Sequence, residues 1–253
     1  MSGGTPSQTP FDLSAVFEVD DYMYFYRDDL TDERSEAEVA ALVKLLELDA
    51  PMRILDLACG FGRHANRLAA LGHAVTGVDL TPGFLELARS KAAEMGVHVD
   101  YRQGDMRQIS FREEFDRVLL LFTSFGYFED DENVQVMDNM ARALKPGGLL
   151  RFDIPNRDVV VKTVPAIEVV DKGSDLMINR LSFDLLTGRF HNRRIVVRNG
   201  VRKDKPFSIR LYNTTEIRDL LNRAGLEVHK LLGYDGQPLS ADSRGMVIVA
   251  RKA

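Results

Sequence analysis

The sequence predicts a doubly wound α/β fold: a seven-stranded, mostly parallel sheet with helices on both faces and an antiparallel β insertion late in the chain. Three observations carry this. Apolar runs of strand length alternate with helix-period segments from Arg53 to Ile154, the pattern of βαβ units. Glycines at Gly72, Gly96 and Gly225 stop three of the helices, as expected of C-terminal helix caps. The alternation breaks after Pro155 and returns at Thr215, leaving a β-rich stretch between.

The elements follow in order. Ala37, Ala40, Ala41, Leu45 and Leu48 recur at helical spacing and set a first long helix, with Thr31 or Asp32 as its N-cap. Arg53 to Leu57 is a short apolar strand running into Ala58-Cys59-Gly60-Phe61-Gly62. His64 to Leu71 is helical, and Ala74 to Val78 is a second strand ended by Asp79. Pro82 to Met95 is a helix, Val99 to Gln103 a third strand, and Asp116 to Phe122 a fourth, very apolar one. Glu132 to Leu144 is a helix halted by Lys145-Pro146-Gly147-Gly148, and Leu149 to Ile154 is the fifth strand. From about Ala166 to Leu211 four β-like runs follow without a helix: Ala166–Val170, Met177–Leu186, Arg189–Arg198 and Phe207–Leu211. Thr187-Gly188 and Asn199-Gly200 are hairpin turns between them. A helix from Thr215 to Ala224 and strands Glu227–Tyr234 and Met246–Arg251 complete the sheet. Residues 11–154 and 212–253 are thus expected to form the main domain, 155–211 an inserted β cap, and 1–10 a disordered leader.

Composition narrows the function classes. At 253 residues the chain suffices for one large domain with an insertion. A net charge of -5 gives no global reason to bind nucleic acid. The single cysteine, Cys59, excludes an internal disulfide framework and fits a reducing compartment; it reads as a small apolar filler. The leader has neither a basic region nor an apolar core, and the longest apolar runs are far too short to span a bilayer. A cytoplasmic protein is expected, monomeric or a homodimer, without a metal site.

The chemistry concentrates at strand ends. Glycines between a strand and a helix let backbone approach a ligand, and the helix N-terminus presents unpaired N–H groups. Gly60, Gly62 and Ala65 also satisfy G-x-G-x-x-A, so a dinucleotide site is a competing possibility. Asp56, on the first strand, suits the ammonium of a methionine moiety and has no natural role beside a pyrophosphate. Asp79 ends the second strand, where a carboxylate can take both ribose hydroxyls in either class of enzyme. Asp105, in Gly104-Asp105-Met106 after the third strand, is placed to accept from an adenine amino group while Met106 packs on the ring.

This constellation resembles the class I S-adenosylmethionine-dependent methyltransferases. Their glycine motif is matched by Asp56-Leu57-Ala58-Cys59-Gly60-Phe61-Gly62, their ribose-binding acid by Asp79, and their adenine-binding motif by Gly104-Asp105-Met106. Leu144-Lys145-Pro146-Gly147-Gly148 is similar to a further signature. The resemblance covers roughly residues 50 to 155 and recurs at Thr215 to Arg251. It implies S-adenosylmethionine as cofactor, with Asp56, Ala58, Gly60, Gly62, Asp79, Leu80, Asp105, Met106, Phe122 and Tyr26 around it. It also implies methyl transfer to nitrogen or oxygen of a small molecule.

Residues on the acceptor side are less determined. Asp21-Tyr22-Met23-Tyr24-Phe25-Tyr26 either closes over the site, by resemblance to small-molecule methyltransferases, or packs on the sheet edge. Closure matters because methyl transfer needs alignment and exclusion of water. Thr123, Ser124 and Tyr127 follow the fourth strand, where the Asn/Asp-Pro-Pro-Tyr motif of adenine and glutamine methylation is absent, as is a cysteine for cytosine C5 chemistry. His64 touches the cofactor or caps its helix. For a base, Asp153, Asn156, His191 and Tyr212, on or near elements that should face the pocket, are candidates together with Tyr127; none is singled out. The hairpin 189–210 is markedly basic. It either docks RNA, making an RNA methyltransferase, or faces water with Ile195 and Val197 inside and pairs with the acidic segment 12–49. A non-catalytic S-adenosylmethionine-binding protein is the remaining alternative.

Overall fold

A computed structural model describes residues 13–253; the leader falls outside the described residues. Helices α1 (Leu13–Val16) and α2 (Val19–Tyr26) open the chain, followed by a 3₁₀ turn at Arg27–Asp29 and helix α3 (Asp32–Leu45). Five parallel strands and three helices follow, with no helix between the third and fourth strands: β1 (Arg53–Leu57), α4 (Ala65–Ala70), β2 (Ala74–Asp79), α5 (Pro82–Glu94), β3 (Asp100–Gln103), β4 (Phe115–Leu120), α6 (Asp130–Ala143) and β5 (Leu144–Pro155). After α7 (Arg157–Thr163) come β6 (Ile167–Lys172), β7 (Asp175–Asp184), β8 (Arg189–Arg198) and β9 (Val201–Arg210). The chain closes with α8 (Thr214–Arg223), β10 (Leu226–Leu232) and β11 (Gly245–Lys252).

The main sheet has the order β3-β2-β1-β4-β5-β11-β10, parallel except for β11. Alternating residues of the central strands feed two cores, which makes the fold doubly wound. Leu55 and Leu57 of β1 pack with Leu120, Phe152, Met137 and Leu221 under α6 and α8. Ile54 packs on the opposite face with Leu119, Leu42, Leu68 and Leu85 under α3, α4 and α5. The chain leaves β1 toward β2 on one side and resumes at β4 on the other. That switch point is the crevice where open α/β sheets bind ligands.

Strands β6 to β9 form a separate four-stranded antiparallel meander. Asn199 (φ 52°) and Gly200 (φ 74°) make the two-residue turn between β8 and β9, the left-handed pair a tight hairpin demands. Three features depart from the sequence pattern. Strand β9 begins at Val201, because a charged segment pairs along the whole of β8; its Pro206 is tolerated on an edge strand. Strand β5 begins at Leu144, which pairs with Phe115 ahead of an irregularity at Arg117. Helix α7 is a run of valines without helical spacing, and α2, although Val19, Tyr22, Met23 and Tyr26 fall at helical spacing, has no side-chain N-cap and is rich in β-prone aromatics, so tertiary contacts hold it. By contrast, Thr31 caps α3 as its sequence suggests, accepting from Arg34 N at 3.2 Å.

Candidate functional site

The loop after β1 turns on left-handed backbone at Ala58 (φ 50°), Gly60 (φ 54°) and Gly62 (φ 75°). Two bonds stitch it to β2: Cys59 N donates to Val78 O at 3.1 Å and Gly60 N to Asp79 Oδ2 at 2.8 Å. The other Asp79 oxygen accepts from Thr81 N at 2.8 Å. A Cβ added to Gly60 would meet no atom within 4 Å, so the loop presents bare backbone to open space. Gly62 behaves differently. A Cβ there would lie 2.1 Å from the Tyr101 hydroxyl and 2.9 Å from Ala88 Cβ. That hydroxyl is held by Asn66 Oδ1 at 2.7 Å. Gly62→Ala should therefore destabilise the fold by about 2–3 kcal/mol through left-handed strain and clash. A melting-temperature loss under 1 °C would show that Tyr101 yields freely.

Above this loop lies a cavity of about 230 Å³. Of the residues named for the cofactor, Tyr26, Asp56, Ala58, Gly60, Asp79, Leu80, Asp105, Met106 and Phe122 line it, whereas Gly62, packed against Tyr101 and Ala88, does not. Tyr22, Phe61, Arg63, His64, Phe84, Phe128, Arg194 and Phe207 complete much of the wall. Arg63 and His64 share one partner, Glu38 of α3, with His64 Nε2 at 2.8 Å. Burial pushes Glu38 up, but His64 and Arg63 outweigh it and hold the carboxyl at about 2. The Arg63 guanidinium lies 5.2 Å over the Phe122 ring.

The acids differ in how far the protein satisfies them. Asp56 is buried, and its Oδ2 has no hydrogen-bond partner, a costly arrangement for a fixed carboxylate. Burial pushes Asp56 up to about 7, against the pull of Arg63 and with repulsion from Asp79. An orphan acid on a cavity wall beside bare glycine backbone fits the ammonium of S-adenosylmethionine. Burial also raises Asp79, opposed by its backbone donors at Thr81 and Gly60. Asp105 is already engaged: Arg107 donates to it from its backbone N–H and its guanidinium, at 2.6 Å for the shortest contact. An adenine amino group would have to share that carboxylate with Arg107.

A carboxyl raised to about 7 gives binding a pH signature. The unliganded protein keeps the Asp56 proton until pH nears 7, and an ammonium seated there requires its loss. Adenosylhomocysteine binding should therefore release close to one proton at pH 6 and tighten several-fold toward pH 7.5. Calorimetry in two buffers of different ionisation enthalpy measures this; no release at pH 6 would remove Asp56 from ammonium binding.

The candidate bases separate on geometry. His191 is exposed on β8 and Tyr212 is buried against Phe125, ring centroids 5.5 Å apart, with Arg210 over its face. Neither lines the cavity, so neither is carried forward as a base. Asp153 accepts from Phe122 N (3.0 Å) and Thr123 N (2.9 Å) and pairs with Arg151. It thereby pins two successive left-handed residues, at φ 62° and 59°. Asn156 caps α7 and donates to Ser243 O. Ser124 lines the wall but donates to Leu121 O. Tyr127 lines the cavity and meets Phe17 and Phe207 through its ring. Burial drives its hydroxyl far above its ordinary value, despite Arg194, which suits a positioning group better than a base. Cys59 is buried and its thiol raised by burial, as for an inert filler.

The known proteins most informative for this site share its fold and much of its length. Residues 54–148 match the family described as methyltransferase domain. The chain is 31% identical over 231 residues to the putative methyltransferase YqeM of Bacillus subtilis (strain 168), covering 87% of this chain and 92% of that one. It is 30% identical over 210 residues to a dTDP-4-amino-2,3,4,6-tetradeoxy-D-glucose N,N-dimethyltransferase of Saccharopolyspora spinosa, covering 78% of this chain and 81% of that one. Among solved structures it superposes on the CcbJ methyltransferase from Streptomyces caelestis with a TM-score of 0.73 at 25% identity, over 88% of this chain and 90% of that one. With glycine loop, strand-end acids and seven-stranded sheet in place, the chain belongs to the class I S-adenosylmethionine-dependent methyltransferases.

Proposed function

We propose that the enzyme methylates nitrogen or oxygen of a small molecule held between the glycine loop and the four-stranded sheet. One observation carries this: a single cavity is lined by Asp56, Asp79 and Asp105 and also by Arg194 and Phe207 of the inserted sheet. On this view residues 155–211 act as a cap, and 13–154 with 212–253 carry the cofactor side. Bound there, S-adenosylmethionine supplies an electrophilic methyl group on a sulfonium. The chain's part is to orient and to exclude water: Tyr22, Tyr26, Phe84 and Phe207 wall the site, and Asp153 fixes the Phe122 loop. An amine acceptor needs no strong base, which agrees with a wall whose one phenol candidate, Tyr127, is reluctant to ionise.

RNA as acceptor loses its support in the same geometry. Six of the eight hairpin cations are paired with carboxylates: Arg189, Arg198, Arg202, Lys203, Lys205 and Arg210. Glu18 and Asp21 of the acidic N-terminal segment take three of them. Little free positive charge is left to track a phosphate backbone.

The purified enzyme, supplied with S-adenosylmethionine, should release adenosylhomocysteine in multiple turnovers with some member of a set of amino sugars, phenols and amino acids. RNA should support none. Turnover with RNA and with no small acceptor would reverse the assignment.

A further inference from the structure

Among the described residues, the wall of the cavity holds one cation without a counter-charge. Arg194 of β8 is 9% exposed and lines the cavity. Its Nε donates to Asn179 Oδ1 at 2.9 Å and its Nη2 to Tyr26 Oη at 2.9 Å. The guanidinium lies 4.9 Å from the Phe207 ring centroid and 5.9 Å from that of Tyr26. Every one of these partners is neutral. Among the described residues no carboxylate comes within ion-pair distance of Arg194, although six other cations of the same hairpin each have one.

Burying a guanidinium without a counter-charge is costly. Its fork is held rigidly at Nε and one Nη2 hydrogen. Neither bond uses Nη1, whose N–H groups remain to donate to the oxygens of a carboxylate or phosphate. Phe207 flanks the guanidinium, and Tyr127 stacks on Phe207 at 6.1 Å, so an apolar or ring-bearing body has a surface beside the anion. The three strand-end acids belong to β1, β2 and the loop after β3, whereas Arg194 projects from the cap.

Resting on the small-molecule assignment above, we propose that Arg194 is the specificity residue for the acceptor, and that the acceptor carries an anionic group that docks on its free edge. The methyl-accepting nitrogen or oxygen would then lie elsewhere on the same molecule, with Phe207 and Tyr26 against its body.

The test uses enzyme loaded with adenosylhomocysteine and three probes of similar size: 4-hydroxybenzoate, phenyl phosphate and the neutral 4-hydroxybenzamide. Calorimetry should show at least one anion binding tenfold or more tightly than the amide, and which anion does so tells carboxylate from phosphate recognition. Arg194→Gln should abolish that preference while leaving adenosylhomocysteine affinity within twofold. Because the substitution removes an uncompensated buried charge and keeps hydrogen-bonding capacity toward Tyr26 and Asn179, the melting temperature should hold or rise. A purely structural arginine would instead lower it. Equal binding of acid and amide by the wild type, or binding of neither anion, overturns the proposal without recourse to a variant. Loss of adenosylhomocysteine affinity in Arg194→Gln also overturns it, since the arginine would then serve the cofactor's own carboxylate. Failure of every small acceptor in turnover counts against the small-molecule assignment alone, because anion capture is read separately.

Discussion

Asp79→Ala should bind adenosylhomocysteine a hundredfold to a thousandfold more weakly than the wild type. The buried carboxylate ends β2, lines the cavity, and holds Gly60 N and Thr81 N through one lone pair of each oxygen. The remaining lone pairs suit the two hydroxyls of a ribose. Two charge-assisted hydrogen bonds are worth about 1.5–3 kcal/mol each, and about 1.4 kcal/mol is a factor of ten. The substitution also frees the Gly60 amide and so loosens the loop that presents bare backbone to the ligand. Asp79→Asn should lose less, roughly tenfold, because its carbonyl oxygen still accepts while its amide opposes one backbone donor. Calorimetry on both variants, with melting curves to confirm folding, decides the matter. An Asp79→Ala enzyme within threefold of wild type would remove Asp79 from nucleoside binding and return the loop to a purely structural role.

That acid was legible in the sequence for a physical reason. A carboxylate at the end of an apolar strand, beside a glycine loop, has no packing role that would place it there, so its type and position betray a ligand. The helices were legible where glycines with positive φ stop them, at Gly72 (91°), Gly96 (66°) and Gly225 (74°). Helix α2 was not, because its aromatics are β-prone and, beyond the Tyr22–Tyr26 pair one turn apart (ring centroids 4.8 Å), they cover more than one face. Phe25 packs with Met177 and Val196, Tyr22 against Phe84, and Tyr26 under Arg194.

The acceptor side failed on parity. Strand β8 carries polar and charged residues on both faces, and a period of two cannot tell which face is inward when neither is apolar. The alternation suggested Ile195 and Val197 inside. In the structure Ile195 is buried and Val197 half-buried, while Asn192, Arg194 and Val196 are buried on the face that meets α2. His191, three residues from Arg194, therefore points away to solvent. What makes Arg194 acceptable inside is supplied by distant segments, Asn179 and Tyr26, which no local window contains.

Asp21→Ala should release α2 from the cap. Asp21 Oδ2 accepts from Lys205 Nζ at 2.6 Å and Lys203 Nζ at 3.3 Å, and its Oδ1 from Arg198 at 3.1 Å. Lys205 is 4% exposed and Asp21 5%, so this is a buried cluster, and breaking such a cluster by removing one member costs about 3–5 kcal/mol. The lower end is expected, because Glu18 still reaches Lys205 at 2.7 Å. Burial pushes Asp21 up, but Lys205 and Arg198 outweigh it and hold the carboxyl at about 2. The folded value lies below the ordinary 3.8. The stabilisation is therefore complete above pH 3.8 and is lost as the pH falls toward 2, so the latch is fully closed at neutral pH. Since α2 carries Tyr22 and Tyr26 to the cavity wall, its release should open the site. Hydrogen exchange across residues 19–26 should accelerate about a hundredfold in Asp21→Ala, the equivalent of ~3 kcal/mol, while the amides of β1 and β4 stay protected. Adenosylhomocysteine should bind more weakly with the strap detached. Adding Lys205→Met should restore part of the protection, because it removes the buried ammonium that in the single variant keeps only Glu18 as a counter-charge. Unchanged exchange in Asp21→Ala would mean that aromatic packing alone seats α2. The cation cluster would then be a consequence of closure, and the acidic segment would have no part in holding the site shut.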